Sequence, residues 1–153
     1  DAGCGAGRDT LAFMKMGYKV EAFDATPKLV KIAQNVTGIN VQLSTFLNFT
    51  SEQTYAGIWA CASLLHVPAI NLPATLKHLG ELLKDNGVMY VSFKYGEDES
   101  SHNGRHFTNC NEERLEKFLE DTGLTIKEAW VTEDQRPERG DEQWLNALLI
   151  ANK

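Results

Sequence analysis

The chain opens with a glycine-rich stretch that limits what the following residues can form. Residues 1–9 read DAGCGAGRD, with glycine at every second position from Gly3 to Gly7. Glycine adopts a positive φ at no steric cost and has no Cβ atom, so a tight turn here can bring bare backbone close to a ligand. Residues 10–16 then have the pattern of a helix, and Gly17 is a typical helix stop.

A short apolar segment, residues 18–24, follows this helix and ends in an acid, Asp24. A glycine turn, a helix and a strand that ends in an acid are together typical of half a nucleotide-binding βαβ unit. A carboxylate at that position can accept hydrogen bonds from both hydroxyls of a ribose. Asp24 therefore indicates a ligand that contains adenosine, without distinguishing among such ligands.

The spacing of the glycines helps to distinguish between two classes of ligand. The dinucleotide fingerprint G-x-G-x-x-G needs its third glycine where Arg8 stands, and Gly7 comes one position too early. Asp1, at the mouth of the turn, would repel a pyrophosphate and attract a cation. S-adenosylmethionine has no phosphate and carries a sulfonium and an ammonium group. The spacing thus favours S-adenosylmethionine over the nicotinamide cofactor of an oxidoreductase, which remains the alternative.

The same residues resemble the first motif of the class I S-adenosylmethionine-dependent methyltransferases. That motif has the form D-x-G-x-G-x-G, and residues 1–7 match it at every fixed position. In that family an acid also ends the second strand, as Asp24 is predicted to do. The chain looks most similar to the small, free-standing members, including the tellurite-resistance type. This resemblance implies an α/β fold: a Rossmann-like three-layer sandwich whose mostly parallel seven-stranded sheet ends in an antiparallel hairpin.

In this family an apolar strand precedes the acid of the first motif, whereas Asp1 is the first residue of the sequence. We therefore expect residues 1–153 to be a single S-adenosylmethionine-binding domain that lacks its first strand at the N-terminus. Without that strand, its two neighbours in the sheet would have unpaired edges.

Composition argues against several other classes of protein. A chain of 153 residues is the size of one domain, and its net charge of −6 disfavours a broad basic surface for nucleic acid. No apolar run approaches the roughly 18 residues of a membrane span. The three cysteines have no C-x-x-C spacing and favour free thiols in a reducing compartment. We expect a cytoplasmic protein without nucleic-acid or membrane partners.

Strands and helices alternate along the rest of the chain. Thr26 and Pro27 predict a helix start, and Gly38 predicts the end of that helix. Asn71 and Asn111 are predicted to open two further helices, the first of which presents a leucine face that extends to Leu83. The remaining predictions are strands at 39–43, 57–62, 88–93, 124–131 and 143–151, a turn at 85–87 and a long polar loop at 94–110. The last two strands have no helix between them and should pair antiparallel.

Ligands of an open parallel sheet bind beyond the carboxyl ends of its strands. The resemblance implies that the glycine turn and the acid hold the cofactor, that the end of the 39–43 strand faces the adenine, and that the end of the 57–62 strand faces the methionine. The candidate cofactor residues are Asp1, Gly3, Cys4, Gly5, Gly7, Asp24, Ala25, Thr45, Phe46, Ala60, Cys61 and Leu65. In an alternative interpretation, Phe46 is a core residue together with Leu47 and Phe49. Cys61 can likewise be interpreted as a small buried apolar residue.

Five side chains are candidates for contact with the acceptor. His66 directly follows a predicted strand and can accept a proton from a substrate, or it can cap the neighbouring loop. Arginine suits a bidentate grip on a carboxylate or phosphate, and the candidate substrate residues are Arg105, His106, Arg136 and Trp144. In the alternative interpretation the two arginines only stabilise the long loop, through ion pairs with Glu97, Asp98, Glu99 or Glu133.

His102, His106 and Cys110 are spaced four residues apart, which on a helix would suggest a metal site. The intervening Asn103 and Gly104 break any helix there, so we expect no metal.

The segment after the 57–62 strand also limits the acceptor. It lacks the N-P-P-Y-like turn of enzymes that methylate exocyclic amines of bases or glutamine, and Cys61 does not follow a proline as in enzymes that methylate base C5 atoms. We therefore expect methyl transfer by in-line displacement to a small molecule, with the reacting atoms ~3–3.5 Å apart. A domain that binds S-adenosylmethionine without catalysing transfer is the alternative.

Overall fold

The computed structural model describes all 153 residues and divides them into two units, Asp1–Glu52 and Gln53–Lys153. The first unit contains helix α1 (Arg8–Lys15), strand β1 (Ala22–Asp24), helix α2 (Pro27–Thr37) and strand β2 (Val41–Leu43). β1 and β2 pair in parallel. One core cluster of this unit consists of Ala22, Val30, Ala33 and Val41, with Cys4 and Ile39 packed against it.

Helix α2 has the predicted limits. It begins at Pro27 after the extended residue Thr26, and it ends at Gly38, which has a φ of +74°. Strand β1 is shorter than the predicted 18–24 segment, because the ladder with β2 extends over only three residue pairs. Tyr18, at the start of that segment, is 65% exposed and contributes little to the core.

The second unit is built on a four-stranded sheet. Its strands are β3 (Tyr55–Ala60), β4 (Leu83–Lys94), β7 (Leu124–Glu133) and β8 (Gln143–Ala151), in the order β3-β4-β8-β7. β3 pairs with β4 in parallel, and β8 pairs antiparallel with both β4 and β7, which confirms the predicted antiparallel end. The other elements are helix α3 (Leu72–Glu81), strands β5 (Glu99–His102) and β6 (Arg105–Thr108), and helix α4 (Glu112–Leu119).

One set of alternate residues on β4 and β8 forms the centre of the second core. Met89, Val91 and Phe93 on β4 and Leu145, Ala147 and Leu149 on β8 are all at most 1% exposed. Leu72, Leu76 and Leu79 of α3 are equally buried, as their predicted helical spacing requires. Leu83, predicted to lie on the same helix, instead begins β4. None of the helices combines the length and the apolar character needed to cross a membrane.

The predicted turn at 85–87 lies inside β4. Asn86 has a φ of +62°, and the pairing with β3 jumps from Tyr55–Leu83 to Gly57–Val88. The local signal for a turn was therefore correct, but the chain continues as a strand with an irregular register.

The prediction of a long loop at 94–110 was wrong. Strands β5 and β6 pair antiparallel in this segment, with His102 opposite Arg105. Asn103 and Gly104 join them with φ values of +52° and +75°. Two successive positive φ angles are typical of the type I′ turn that Asn-Gly favours in hairpins. The Asn-Gly pair, which breaks a helix at this point, is therefore also a hairpin signal in the sequence.

Candidate functional site

The glycine turn is attached to β1 by backbone hydrogen bonds. The amides of Gly3 and Cys4 both donate to the carbonyl of Phe23 at 3.0 Å, and Ala2 forms a parallel bridge with the same residue. Gly3, Gly5 and Gly7 have φ values of +73°, +56° and +88°. The predicted turn is thus present, and each of its glycines adopts a left-handed conformation that is unfavourable for other residues.

Gly5 and Gly7 differ in their surroundings. A Cβ on Gly7 would lie 3.1 Å from atoms of Ala33 and Thr37, so this glycine permits the close approach of α1 and α2. A Cβ on Gly5 would meet nothing within 4 Å. The backbone at Gly5 therefore remains open to a ligand.

Asp24 is bonded directly to the glycine turn. Its Oδ2 accepts a hydrogen bond from the amide of Gly5 at 2.9 Å, and its Oδ1 accepts one from the amide of Thr26 at 3.0 Å. Each carboxylate oxygen can accept a second hydrogen bond. The exposed Ala25 adjoins it. The structure thus brings together two of the predicted cofactor residues and leaves Asp24 acceptor capacity for two hydroxyl groups.

Asp1 and Cys4 have structural partners within the turn. The carboxylate of Asp1 accepts a hydrogen bond of 2.6 Å from the hydroxyl of Thr10, which is fully buried in α1. The thiol of Cys4 donates to the carbonyl of Gly5 at 3.6 Å. Burial, and then the charge of Asp24, raise the pKa of Cys4. Asp1 therefore stabilises the start of α1, a role that the sequence did not reveal.

The segment after β2 is positioned by the end of β1. The amide of Ser44 donates to the carbonyl of Asp24 at 3.0 Å, and the carbonyl of Thr45 accepts from the amide of Phe49 at 3.1 Å. Phe49 is 4% exposed and stacks on Phe23 with a centroid distance of 4.4 Å. Phe46 is half-buried with its edge towards Phe23, whereas Leu47 is 48% exposed. The core interpretation thus holds for Phe49 and fails for Leu47.

In the second unit, β3 ends in a strained turn. Ala60 is fully buried and Cys61 half-buried, and Ala62 has a φ of +49°. The amide of Ala62 donates to the hydroxyl of Ser92 at 2.8 Å, and this hydroxyl lies 3.9 Å from the sulfur of Cys61. A positive φ costs a non-glycine residue about 1–2 kcal/mol, and such strain is common at functional sites.

Sequence reasoning missed Ser92, although a signal was present. It is a polar residue within the apolar run of β4, and it is 3% exposed. A buried hydroxyl requires a hydrogen-bond partner, so its position could have indicated a contact with the neighbouring strand.

The buried Leu65, predicted to contact the cofactor, is 2% exposed, whereas the adjacent His66 is half-buried. Nδ1 of His66 lies 2.9 Å from the carbonyl oxygen of His106, and Nε2 lies 2.8 Å from the guanidinium of Arg105. A carbonyl only accepts and a guanidinium only donates, so Nδ1 carries the proton and Nε2 accepts. The imidazole is therefore neutral.

The surroundings of His66 favour this neutral form. Burial is the largest cause that lowers the pKa of His66, and the charges of Arg105 and Lys94 lower it further, whereas the bond to His106 opposes them. The ring of Phe107 lies edge-on to His66 at 5.0 Å, and Nζ of Lys94 lies 4.8 Å from the centre of the same ring. We call these five residues, His66, Lys94, Arg105, His106 and Phe107, the His66–hairpin cluster.

The two candidate arginines have different environments. Arg136 forms a two-point ion pair with Asp134 at 2.9 and 2.6 Å, and the indole of Trp144 donates to the same carboxylate at 3.0 Å. These bonds, led by that of Arg136, hold the pKa of Asp134 well below its usual range. The ion-pair interpretation thus applies to Arg136, with Asp134 in place of the expected acids. The geometry gives no separate support for a substrate role of Arg136 or Trp144.

The side chain of His106 contacts the two hairpin residues, Glu99 and Thr108, that bond to Ala69 and Val67. Its Nε2 lies 2.7 Å from Glu99 and 3.2 Å from the hydroxyl of Thr108. Glu99 also accepts from the amide of Ala69 at 3.2 Å, and Thr108 donates to the carbonyl of Val67 at 2.7 Å. These contacts indicate a structural role for the side chain of His106.

The three residues with metal-like spacing do not form a metal site. Cys110 is fully buried, and burial raises the pKa of its thiol to about 12. No group of three or more His, Cys, Asp or Glu side chains is arranged to hold a metal ion.

Solved structures with a similar fold include S-adenosylmethionine-dependent methyltransferases. One from Methanosarcina mazei has a TM-score of 0.83 at 14% identity, over 100% of this chain and 92% of that chain. The 1,6-didemethyltoxoflavin-N1-methyltransferase of Burkholderia thailandensis, solved with S-adenosylhomocysteine, has a TM-score of 0.78 at 23% identity, over 98% of this chain and 69% of that chain. The predicted α/β methyltransferase fold is thereby confirmed.

The sequence comparison identifies the family. A family model described as "Methyltransferase domain" matches residues 1–129, and the chain belongs to this family. A ubiquinone biosynthesis O-methyltransferase of Xanthomonas oryzae pv. oryzae is 27% identical over 99 residues, which are 60% of this chain and 41% of that protein. The chain thus spans 41% of the length of this curated relative.

Proposed function

We propose that residues 1–153 form one S-adenosylmethionine-binding domain that transfers a methyl group to a small-molecule acceptor. The observation that carries this proposal is the hydrogen bond between the amide of Gly5 and Asp24, which joins an open glycine turn to a carboxylate with spare acceptor capacity. Family membership and the names of the relatives, which include a small-molecule O-methyltransferase and an N-methyltransferase, support it.

The residues of the first unit fit the adenosine part of S-adenosylmethionine. We assign Asp24 to the ribose hydroxyls and the backbone of Gly3, Gly5 and Gly7 to the close approach of the cofactor. The exposed Thr45 and half-buried Phe46 are the candidates for the adenine. A pyrophosphate fits this turn less well, because Asp1 places negative charge beside it.

The residues that follow β3 are our candidates for contact with the methionine end of the cofactor, and His66 is our candidate for contact with the acceptor. When bound, S-adenosylmethionine supplies a methyl carbon that is attached to an excellent leaving group. The protein then needs mainly to align the acceptor, and it needs a base only where the acceptor arrives protonated. We also propose a cytoplasmic location, which the three free cysteines support.

Calorimetric titration with S-adenosylhomocysteine tests the cofactor assignment. We expect Asp24→Ala to weaken binding by about 1.5–3 kcal/mol, which is typical of hydrogen bonds to a charged group. Asp141→Ala is the matched control, since it removes the same charge from an exposed position in the other unit. Equal affinity of the wild type and Asp24→Ala would contradict the assignment.

A screen of small acids, amines and thiols with bound S-adenosylmethionine tests the transfer. Formation of S-adenosylhomocysteine that depends on an acceptor would support catalysis. Tight binding without any turnover would instead support a domain that binds the cofactor and does not catalyse transfer.

A further inference from the structure

The environment of Arg105 differs from that of every other arginine in the chain. Arg8, Arg114, Arg136 and Arg139 each lie within 3.9 Å of a carboxylate oxygen. Arg105 is exposed and has no carboxylate partner; its guanidinium donates to Nε2 of His66 and lies 5.8 Å from the ring centre of Phe107. A guanidinium has five N–H donors, so most of its capacity to bind an anion is unused.

The His66–hairpin cluster lies at the edge of the sheet where ligands of α/β proteins bind. His66 follows β3, and Lys94 ends β4, which runs parallel to β3 and leads into the β5–β6 hairpin. The carboxyl ends of these strands therefore meet at the same edge. Lys94, with its side chain 22% exposed, places a second positive charge beside Phe107, although its Nζ also lies 3.8 Å from a carboxylate oxygen of Glu142.

We propose that this cluster binds the carboxylate of a small carboxylic acid at Arg105, and that this binding frees His66 to act as the general base. The inference rests on the proposed methyltransferase function and deepens it by naming the class of acceptor. Arginine binds a carboxylate through two parallel N–H bonds, which the single bond to a neutral imidazole cannot match.

The exchange of partners changes the chemistry of His66. In the structure a cation occupies the lone pair of Nε2, so His66 is a poor base. When Arg105 turns to the carboxylate, Nε2 becomes available and a negative charge adjoins the ring, which favours protonation. The proton of the acceptor hydroxyl or amine then passes to Nε2, while Nδ1–H keeps its bond to His106, and the acceptor atom retains the electron pair. The charged and titratable groups that face His66 are Arg105 and His106 of the hairpin and Lys94 of β4.

The test measures the titration of His66 by NMR of its ring, with benzoate as the probe and neutral benzamide as its matched control at constant ionic strength. We expect saturating benzoate to increase the proton affinity of His66 about tenfold and benzamide to leave it unchanged. In Arg105→Gln without benzoate, we expect the proton affinity of His66 to be higher than in the wild type. We expect it not to respond when benzoate is added. Arg139→Gln, whose arginine pairs with Glu142, should respond like the wild type.

The inference would be overturned by no response of the wild type, by an equal response to benzamide, or by a response to benzoate that persists in Arg105→Gln. Arg105 is exposed on the hairpin, so its replacement should leave the unfolding midpoint unchanged. Titration with S-adenosylhomocysteine is a separate readout: its failure would refute the proposed function, whereas normal binding with a failed benzoate response would refute only the present inference.

Discussion

Asp24 serves both the structure of the turn and the proposed binding of the cofactor. Its two oxygens accept backbone amides from Gly5 and Thr26, so the carboxylate holds the glycine turn and the start of α2 in relation to each other. A binding group that is itself held by hydrogen bonds loses little entropy when a ligand arrives. Preorganisation of this kind supports the proposed role of Asp24 in binding a ribose.

Replacement of Gly7 should destabilise the chain more than replacement of Gly17. Both residues have a positive φ, of +88° and +94°, but only Gly7 has neighbours at 3.1 Å from an added Cβ. For alanine we expect a loss of about 1 kcal/mol at Gly17 from the backbone alone. At Gly7 we expect a further 1–3 kcal/mol, roughly, from overpacking against α2.

Urea unfolding of the two alanine variants measures this difference in the free energy of unfolding. Equal losses at Gly7 and Gly17 would show that α2 moves away without cost, and would contradict a packing role for Gly7.

The β5–β6 hairpin is held by polar contacts that depend on pH. The amide of Ala69, and then His106 and Arg114, lower the pKa of Glu99. The carboxylate therefore takes up a proton at a higher pH when the hairpin is detached than when it is docked. The stabilisation is complete above the ordinary glutamate pKa of about 4.3 and is lost as the pH falls through the lower pKa of the docked form.

Amide exchange of residues 99–108 between pH 6 and pH 3 measures this effect. We expect protection of the hairpin to fall in acid in the wild type, and Glu99→Gln to remove the dependence on pH. The same acid-induced loss in Glu99→Gln would assign it to another group.

The stability of helix α4 should depend on its N-cap residue, Asn111. The side chain of Asn111 accepts a hydrogen bond of 2.9 Å from the amide of Arg114, and Glu112 and Glu113 lie in the first turn. We expect Asn111→Ala to reduce the free energy of unfolding by about 1 kcal/mol, and Asn111→Ser, which keeps an acceptor, to recover most of it. Urea unfolding provides the measurement, and equal losses in both variants would contradict the capping role.

The two units have cores of different size. The core of 1–52 combines a small aliphatic cluster with the stacked rings of Phe23 and Phe49, under two strands of three residues each. The core of 53–153 contains alternate, fully buried residues along the two long strands β4 and β8. Elements with few buried apolar contacts open at lower free energy than those in a large core.

Native-state hydrogen exchange should therefore rank the strands. We expect the amides of Val91, Phe93 and Ala147 to exchange slowest in the chain, and those of Phe23 and Asp24 to exchange faster. Exchange measured at low urea concentrations distinguishes local from global opening. Equal protection of β1 and β8 would contradict this ranking.

The parts of the fold that follow from neighbours in the chain were predictable. The glycine turn, the Thr26–Pro27 start and Gly38 end of α2, and the cap at Asn111 depend on φ preferences and on hydrogen bonds over a few residues, so the sequence alone determined them. The hairpin at 99–108 belongs with them, since its Asn-Gly turn is a local signal. The resemblance to a methyltransferase motif rested on the same local features.

The partners of distant side chains were decided only in three dimensions. Arg105 and Arg136 are equivalent in sequence reasoning, yet one meets His66, which is 39 residues away, and the other meets Asp134, two residues away. The support of Ala62 by Ser92 spans 30 residues. The contacts of Arg105 and Ser92 arise because pairing of the strands brings their ends together, and no pattern within a short window contains the register that selects them.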